Sequence, residues 1–284
     1  MNYDKLTIGI ERFQISPLVL HHLKSEVPEA TMVNASAILA DVRMIKSAEE
    51  IAIMRQAGQV AVAMAEAAAD TIGEGVPEYE VSLAVIAAGT RKAAEFLEPE
   101  GPDRLFSPTI RGLPILQSGR DLSMVHRQST VRPIQRGDPV YLCFCGVASF
   151  KQFKLGFDRQ FFVGTVSDEH ARIYEVALQA QAAALDMIRP GVLAEQVHAT
   201  AEEVYLEAGF GPAYRTGRGI GYSFLEEPEL KRGNKTPLRA GMTLAVDGGI
   251  TIAGEFGARV GDSIVVTETG YDYLTPYPKE LRIL

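Results

Sequence analysis

An internal repeat constrains the fold of this chain more than any other feature of its sequence. Residues 68–89, "AADTIGEGVPEYEVSLAVIAAG", resemble residues 184–209, "ALDMIRPGVLAEQVHATAEEVYLEAG". The pairs that match at one constant offset are Asp70 with Asp186, Ile72 with Ile188, Gly75 with Gly191, Val76 with Val192 and Val81 with Val197. Each copy predicts a helix, a Gly-Val turn and a second amphipathic helix, with strand-like segments after it. Two copies indicate a gene duplication and predict an α+β fold of pseudo-twofold halves, with two sheets meeting at the centre and helices outside.

The composition is that of an ordinary soluble globular protein. Of the 284 residues, 46% are apolar and 23% are charged. The net charge of −8 and the scattered basic residues argue against a nucleic-acid partner, which needs a clustered basic face. No apolar stretch approaches the length of a membrane span, and the first residues lack the pattern of a signal peptide. We therefore expect a cytoplasmic protein without a membrane partner.

The two cysteines, Cys143 and Cys145, stand one residue apart in "VYLCFCGV". We expect their side chains on opposite faces of a strand, as reduced thiols and not as a mutual disulfide. The alternative is a Cys-x-Cys metal clip, which would need further cysteine or histidine ligands nearby.

A domain boundary is predicted near "RMIKSAEEIAIMRQAG". Ser47 and Glu50 form a capping box there, at the start of a long alanine-rich helix. Residues 1–45 predict a strand, a helix and a second short strand, which is too little for a core of their own. This segment is either the end of an α/β domain or an arm of the main body, which spans residues 46–284.

The stretch "TGRGIGYSF", residues 216–224, places Arg218 between two glycines. A dinucleotide-binding fingerprint would need G-x-G-x-x-G between a strand and a helix, and a phosphate loop would need G-x-x-x-x-G-K-[ST]. The chain has neither pattern. The planar guanidinium of an arginine in such a turn suits a carboxylate or a phosphate group.

From about residue 43 to the end, the chain resembles the superfamily of creatinase, prolidase, aminopeptidase P and methionine aminopeptidase. The segments that carry the resemblance, besides the boundary segment and the helix repeat, are "SGRDLSMVH", "RPIQRGDPVYL", "GRGIGYSFLEEP", "LRAGMTLAVDGG" and "ARVGDSIVVTETGYDYLTPYPKEL". The resemblance implies the pita-bread fold for residues 46–284. It also implies that residues 1–45 are a remnant of the N-terminal α/β domain of creatinases and prolidases. Because those relatives are homodimers, it implies a homodimer here.

Peptidases of this superfamily hold two metal ions through two aspartates, one histidine and two glutamates. The resemblance places these ligand positions, in order, at Cys143 or Cys145, Gly156, Arg218, Asp247 and Gly261, and a further histidine position at Leu225. Only Asp247 keeps a metal-type carboxylate. A dinuclear site needs several oxygen and nitrogen ligands, and Arg218 places a permanent positive charge among these positions. The resemblance therefore predicts no metal and no other cofactor.

The same resemblance assigns a catalytic role to three residues. His126 matches the proton-transfer histidine of creatinase-type members, and its alternative is a histidine held in a loop by a hydrogen bond. Asp158 and Asp247 align with carboxylates that face the creatinase substrate, so they would orient a cationic group. The alternatives are an ion pair of Asp158 with Arg159, and an Asp-Gly turn at Asp247.

Two further residues are predicted to bind the substrate. Arg218 would hold a substrate carboxylate, and Glu226 would be retained in the cleft unless it is a solvated loop residue. Together these roles predict a metal-independent, creatinase-like hydrolase of a C–N bond (amide, ureido or amidino) in a small nitrogenous substrate. One alternative is a pita-bread protein that binds without catalysis. The other is a metallopeptidase of the Xaa-Pro dipeptidase or aminopeptidase P type.

Overall fold

The N-terminal segment forms a unit of its own. The computed structural model describes residues 6–12, 14–112, 114–124, 126–211 and 213–284, and the chain divides into one unit ending at Met44 and a second unit, Ile45–Leu284. The elements of the first unit are β1 (Thr7–Ile10), α1 (Pro17–Glu26), β2 (Thr31–Asn34) and α2 (Ser36–Met44), with β1 and β2 parallel. The predicted strand, helix and strand are present, and α2 follows them.

The second unit contains the repeated helix pairs and a large sheet. Its helices are α3 (Ala48–Thr71), α4 (Glu78–Ala94), α5 (Asp168–Asp186) and α6 (Ala194–Glu207). Its strands are β3 (Ile115–Ser118), β4 (Pro139–Cys143), β5 (Ser149–Phe150), β6 (Phe153–Lys154), β7 (Asp158–Phe162), β8 (Gly217–Gly219), β9 (Glu226–Leu230), β10 (Thr243–Ile252), β11 (Phe256–Val266) and β12 (Tyr271–Tyr273). Within the described residues, no helix is long and apolar enough to cross a membrane.

The two copies of the repeat adopt the same local structure. Gly75 and Gly191 have φ angles of 86° and 89°, the left-handed region that favours glycine. The amide of Gly75 donates to the carbonyl of Ile134, and that of Gly191 to the carbonyl of Leu238, both at 2.8 Å. The Gly-Val turn therefore ties each helix pair to a returning segment of its own half.

Apart from the short β5-β6 hairpin, the strands of both halves form one sheet. The strand order is β3-β4-β7-β11-β10-β8-β9, with β12 on β11. The first half supplies β3, β4 and β7, and the halves join where Asp158 of β7 pairs with Gly261 of β11. The expectation of two sheets is therefore corrected, because β7 and β11 pair with each other instead of leaving two unpaired edges. The predicted α+β class is confirmed.

Helix α3 is packed into the core along much of its length. The predicted capping box is present: the amide of Glu50 donates to Ser47 Oγ at 3.2 Å, and the amide of Ser47 donates to Glu50 Oε2 at 2.8 Å. Two turns later, Gly58 lies against the chain near Leu274, where an added Cβ would be 1.7 Å from the Leu274 carbonyl oxygen. The close approach of these two backbones requires glycine at this position.

We expect Gly58→Ala to lower the free energy of unfolding by about 1–3 kcal/mol, because overpacking against backbone outweighs the roughly 1 kcal/mol gain in helix propensity. Gly89→Ala is the matched comparison in α4. Its added Cβ would meet the Met64 side chain at 2.7 Å, and that side chain can move. Urea unfolding of both variants should give the larger loss for Gly58→Ala. Equal losses would show that the contact with Leu274 is relieved at little cost.

Candidate active site

A cavity of about 710 Å³ opens on the sheet beside the junction of the two halves. Strands β4, β7, β8, β10 and β11 and the segment before β8 contribute to its lining. The lining residues with chemistry of interest are His126, Tyr141, Cys145, Asp158, Arg218 and Asp247. The structure thus brings four of the five predicted site residues to one cavity.

Arg218 lies deep in this cavity and is only 3% exposed. Its Nη1 donates to Asp247 Oδ2 at 2.8 Å, its Nη2 to Cys145 Sγ at 3.4 Å and its Nε to the Phe224 carbonyl oxygen at 3.3 Å. The guanidinium also lies over the Phe224 ring, 4.5 Å from the ring centre. Strand pairing explains the ion pair, because Arg218 is opposite Ala245 and Asp247 follows two residues later on the same face of β10.

The surroundings shift the pKa of both partners of this ion pair. Burial is the largest influence on Asp247 and raises its pKa to about 6, with Asp158 acting in the same direction and Arg218 against it. Burial alone would lower the pKa of Arg218, but Asp247, Cys145 and Asp158 raise it above its ordinary value. Arg218 is therefore a permanent cation, whereas the carboxyl of Asp247 is protonated more readily than that of an ordinary aspartate.

Asp158 is buried at the junction itself, opposite Cys143 on β4 and Gly261 on β11. Its Oδ1 lies 3.4 Å from Cys145 Sγ. The alternative of an ion pair with Arg159 is wrong. Neighbouring residues of a strand face opposite sides, and the Arg159 guanidinium pairs with Asp262 at 2.6 Å.

Cys143 and Cys145 are both free thiols. Their sulfur atoms and an oxygen of Asp158 all lie within 4.8 Å of one another. The expectation that the thiols face opposite sides is wrong. Strand β4 ends at Cys143, and the turn that follows it brings the Cys145 sulfur to the same side. The two sulfur atoms are not bonded to each other, and the prediction of a reduced state stays a prediction.

The residues at the ligand positions do not fit a dinuclear metal centre. A Cβ added at Gly261 would lie 2.7 Å from Asp247 Oδ1 and 3.1 Å from Asp158 Oδ2, and one added at Gly156 would lie 3.1 Å from Arg218 Nη2. The two glycines therefore face the cluster of Asp158, Asp247 and Arg218, and they leave the room that this cluster fills. Of the remaining donors, Asp247 and Cys145 contact the guanidinium. Cys143, Cys145 and Asp158 are close enough together to hold one metal ion, but two thiols and one carboxylate are not the oxygen and nitrogen set of a two-metal site.

His126 lines the same cavity with an exposed imidazole. Partial burial lowers its pKa, and the positive charges of Arg259 and Arg218 act in the same direction, whereas Asp158 opposes them. The imidazole is therefore neutral at neutral pH and able to accept a proton.

Glu226 is the predicted site residue that the structure does not bring to the cavity lining. Its Oε2 accepts a hydrogen bond from Lys46 Nζ at 2.6 Å, and its Oε1 accepts one from the Ser223 amide at 2.8 Å. Both charged side chains of this ion pair are almost fully buried. These contacts hold the turn after β8, and Leu225 beside it is exposed.

Sequence reasoning missed several lining residues, among them Tyr141, Tyr205, Arg215 and Arg259. Tyr141 could have been found from strand periodicity, because it stands two and four residues before the cysteines and shares their face. Tyr205 comes from α6, and its hydroxyl oxygen accepts a hydrogen bond from the Gly249 amide at 2.8 Å. No local pattern predicts that contact.

Comparison with known proteins places the chain among peptidases and a cyclase. A profile of the family described as "Metallopeptidase family M24" matches residues 52–268. The chain is 34% identical to the agropine synthesis cyclase of Rhizobium rhizogenes, covering 86% of this chain and 62% of the cyclase. It is 33% identical to the probable dipeptidase PepE of Mycobacterium tuberculosis, covering 88% of this chain and 63% of PepE.

A solved structure shows the same architecture. The Xaa-Pro dipeptidase from Bacillus anthracis is 29% identical and superposes with a TM-score of 0.85, covering 98% of this chain and 75% of that one. This likeness confirms the predicted pita-bread fold. The chain spans less than two thirds of the length of the cyclase and of PepE.

Proposed function

Because the chain belongs to metallopeptidase family M24 and carries an arginine ion pair among the metal-ligand positions, we propose a metal-independent hydrolase. Its substrate would be a small nitrogenous compound with an amide, ureido or amidino C–N bond. The observation that carries the proposal is the contact of Arg218 with Asp247 at 2.8 Å, with Gly156 and Gly261 facing the same cluster. In the peptidases, metal ions supply the positive charge of the site. In this proposal the fixed guanidinium of Arg218 supplies it instead.

In this proposal His126 is the general base. Its lowered pKa keeps the imidazole neutral, so it can take a proton from water and return it to the leaving nitrogen. Asp158 and Asp247 together carry one negative charge more than Arg218 when both are ionised. That surplus is local, because Arg215 and Arg259 also line the cavity. Beside the two carboxylates it favours a cationic or strongly hydrogen-bond-donating nitrogen next to the bond that breaks.

The predicted role of Arg218 as a clamp for a substrate carboxylate stays a prediction. Its hydrogen bonds to Asp247, Cys145 and Phe224 support a different role, that of an internal counter-ion. An arginine held in this way orients the carboxylate of Asp247 toward the cavity and lowers the cost of burying it.

A second candidate function is ring closure in the same cavity. It is supported by the 34% identity to a protein named agropine synthesis cyclase. Cyclisation would use the same acid/base and acyl chemistry, with a group of the substrate itself in place of water as the attacking nucleophile. Product analysis by mass spectrometry separates the two, because hydrolysis adds one water to the substrate and ring closure does not.

The test is a substrate panel assayed with and without a chelator. We expect turnover of a small amide, ureido or amidino compound that neither EDTA nor added Mn²⁺, Co²⁺ or Zn²⁺ changes, and metal analysis should find far less than one ion per chain. An Xaa-Pro dipeptide in the panel represents the metallopeptidase alternative. Near-stoichiometric metal with chelator-sensitive cleavage of that dipeptide would overturn the proposal, as would binding without turnover across the whole panel.

A further inference from the structure

Cys145 has the surroundings of a reactive thiol. Its sulfur lines the cavity, lies 3.4 Å from Asp158 Oδ1 and receives a hydrogen bond from Arg218 Nη2 at 3.4 Å. A carboxylate can take up the thiol proton, and a guanidinium stabilises the thiolate that remains. Cys145 is therefore placed between a proton acceptor and a fixed positive charge.

Cys143 provides an internal contrast. It is 2% exposed, and its sulfur accepts a hydrogen bond from the Cys145 amide at 3.4 Å. Burial and the neighbouring Cys145 and Asp158 raise its pKa well above the ordinary value. Of the two neighbouring thiols, only Cys145 combines partial exposure with a contact to a cation.

Tyr141 is a second polar group of the cavity that the proposed function does not use. The residue is 2% exposed and belongs to the cavity lining, and its hydroxyl has no hydrogen-bond partner among the residues that the structure describes. The guanidinium of Arg259 lies over its ring at 5.4 Å. Burial and the charge of Asp158 raise its pKa, so the hydroxyl stays protonated and can donate. A hydroxyl that lines the cavity and is not used inside the protein can donate to an acceptor on the ligand.

We propose that Cys145 is the nucleophile of this cavity and Tyr141 the hydrogen-bond donor to the substrate's carbonyl-type oxygen, so that the reaction passes through a thioester. The substrate class rests on the proposed function, whereas the nucleophile is a separate claim. A hydrogen-bond donor at the developing oxyanion is a common means of lowering the barrier to acyl transfer.

For an amide substrate, the proposed reaction has two steps. In the first step, Cys145 Sγ forms a bond to the carbonyl carbon and the C–N bond breaks. The thiol proton passes to Asp158 Oδ1 and from there to the leaving nitrogen, which departs as the amine. In this route Asp158 replaces His126 as the proton donor to nitrogen. In the second step, His126 takes a proton from water, the resulting hydroxide attacks the thioester and the C–S bond breaks. The Cys145 thiolate then recovers a proton from His126, and the net reaction consumes one water.

The first experiment is alkylation of the native protein with iodoacetamide at pH 7, followed by intact mass. The chain has only two cysteines, so the wild type, Cys143→Ala and Cys145→Ala form a complete set. We expect the wild type and Cys143→Ala to take up one group, several-fold faster than the thiol of glutathione. Cys145→Ala should take up none while folded. Alkylation no faster than that of glutathione, or alkylation at Cys143, would overturn the assignment of Cys145.

The second experiment uses p-nitrophenyl acetate as an acyl donor. We expect a burst of one p-nitrophenolate per chain and a hydroxylamine-sensitive acetyl group that peptide mapping places on Cys145. Tyr141→Phe should keep the alkylation rate and slow the burst by about 10²–10³-fold, the usual cost of losing one oxyanion donor. A burst at the wild-type rate in Tyr141→Phe would exclude the donor role.

The two proposals fail in different ways. His126→Ala should keep the acetyl burst and lose the slow release that follows it, because only the second step needs the imidazole. A panel substrate hydrolysed at full rate by Cys145→Ala would overturn the nucleophile and leave the metal-independent hydrolase standing. Circular dichroism of each variant, with Cys145→Ser as a second replacement, separates lost chemistry from lost folding.

Discussion

Replacing Glu78 by glutamine is expected to lower the free energy of unfolding by about 3 kcal/mol at pH 7. Glu78 begins α4 and is fully buried. Both of its oxygens accept hydrogen bonds from Arg127 at 2.8 Å, and they also accept bonds from Ser118 Oγ at 2.6 Å and from the amide and hydroxyl of Thr130 at 2.8 Å. Loss of the charge leaves the Arg127 guanidinium without its main partner.

The pH dependence follows from the pKa of Glu78. Burial acts to raise it and is the largest single influence, but the hydrogen bonds from Arg127, Ser118 and Thr130 lower it from 4.5 to about 2. A carboxyl whose pKa is lower in the folded than in the unfolded state stabilises the fold fully above pH 4.5, and that contribution disappears as the pH falls through about 2. The difference between wild type and Glu78→Gln should therefore shrink across this window.

Urea unfolding of both proteins at a series of pH values measures this difference. Glu80→Gln is the matched control, because Glu80 lies in the same helical turn but is exposed, and its loss should change stability by less than about 0.5 kcal/mol. A destabilisation of Glu78→Gln that stays constant down to pH 2 would show that packing, and not the ionised carboxylate, is responsible. A loss no greater than that of Glu80→Gln would contradict the prediction outright.

His126→Ala should reduce kcat on the identified substrate by about 10²–10⁴-fold, the usual contribution of one general base. Because the pKa of His126 is lowered, the acid limb of the wild-type pH–rate profile should lie below pH 6.5. The imidazole of His126 then stays neutral, and able to accept a proton, as the pH falls through 6.5. In the variant this limb should disappear, whereas KM should change little, since the loss falls on proton transfer and not on binding.

His22→Ala is the control for this prediction. His22 is an exposed histidine of α1 in the N-terminal unit, so its removal should leave kcat and the pH profile unchanged. A His126→Ala variant that keeps the wild-type rate and the acid limb would show that another group accepts the proton. His126→Gln should behave as His126→Ala does, because glutamine keeps a polar side chain but cannot accept a proton.

The helices and the turns between them could be predicted because their signals are local. The capping box at Ser47, the Ser-Pro start of α1 and the Gly-Val turns at Gly75 and Gly191 each depend on residues within one or two turns of the chain. The repeat allowed the fold class to be predicted as well, because two halves with the same sequence pattern must bury the same faces of their helices and strands. Cys143 and Cys145 show a failure of reasoning about periodicity, since a correct count of two would have placed both thiols on one face.

The partners of charged side chains could not be predicted in the same way. Arg159 pairs with Asp262, 103 positions along the chain, and Glu226 pairs with Lys46, 180 positions away. Such pairs depend on which strands become neighbours and on which face each residue lies. Sequence spacing contains neither quantity, so the alternative of a local pair between Asp158 and Arg159 could not be rejected from the sequence.

The sequence by itself determined the fold class and the residue types at the metal-ligand positions. A glycine has no ligand atom and an arginine is always charged, so Gly156, Gly261 and Arg218 weaken a metal centre before any coordinates are known. Only the tertiary structure decided what replaces it. Strands β4, β7, β8, β10 and β11 come together from both halves, and their pairing places one guanidinium against Asp247 and Cys145, with Asp158 beside that thiol. These contacts depend on the distances between strands. Strand order and register set those distances, and no single segment of the sequence contains them.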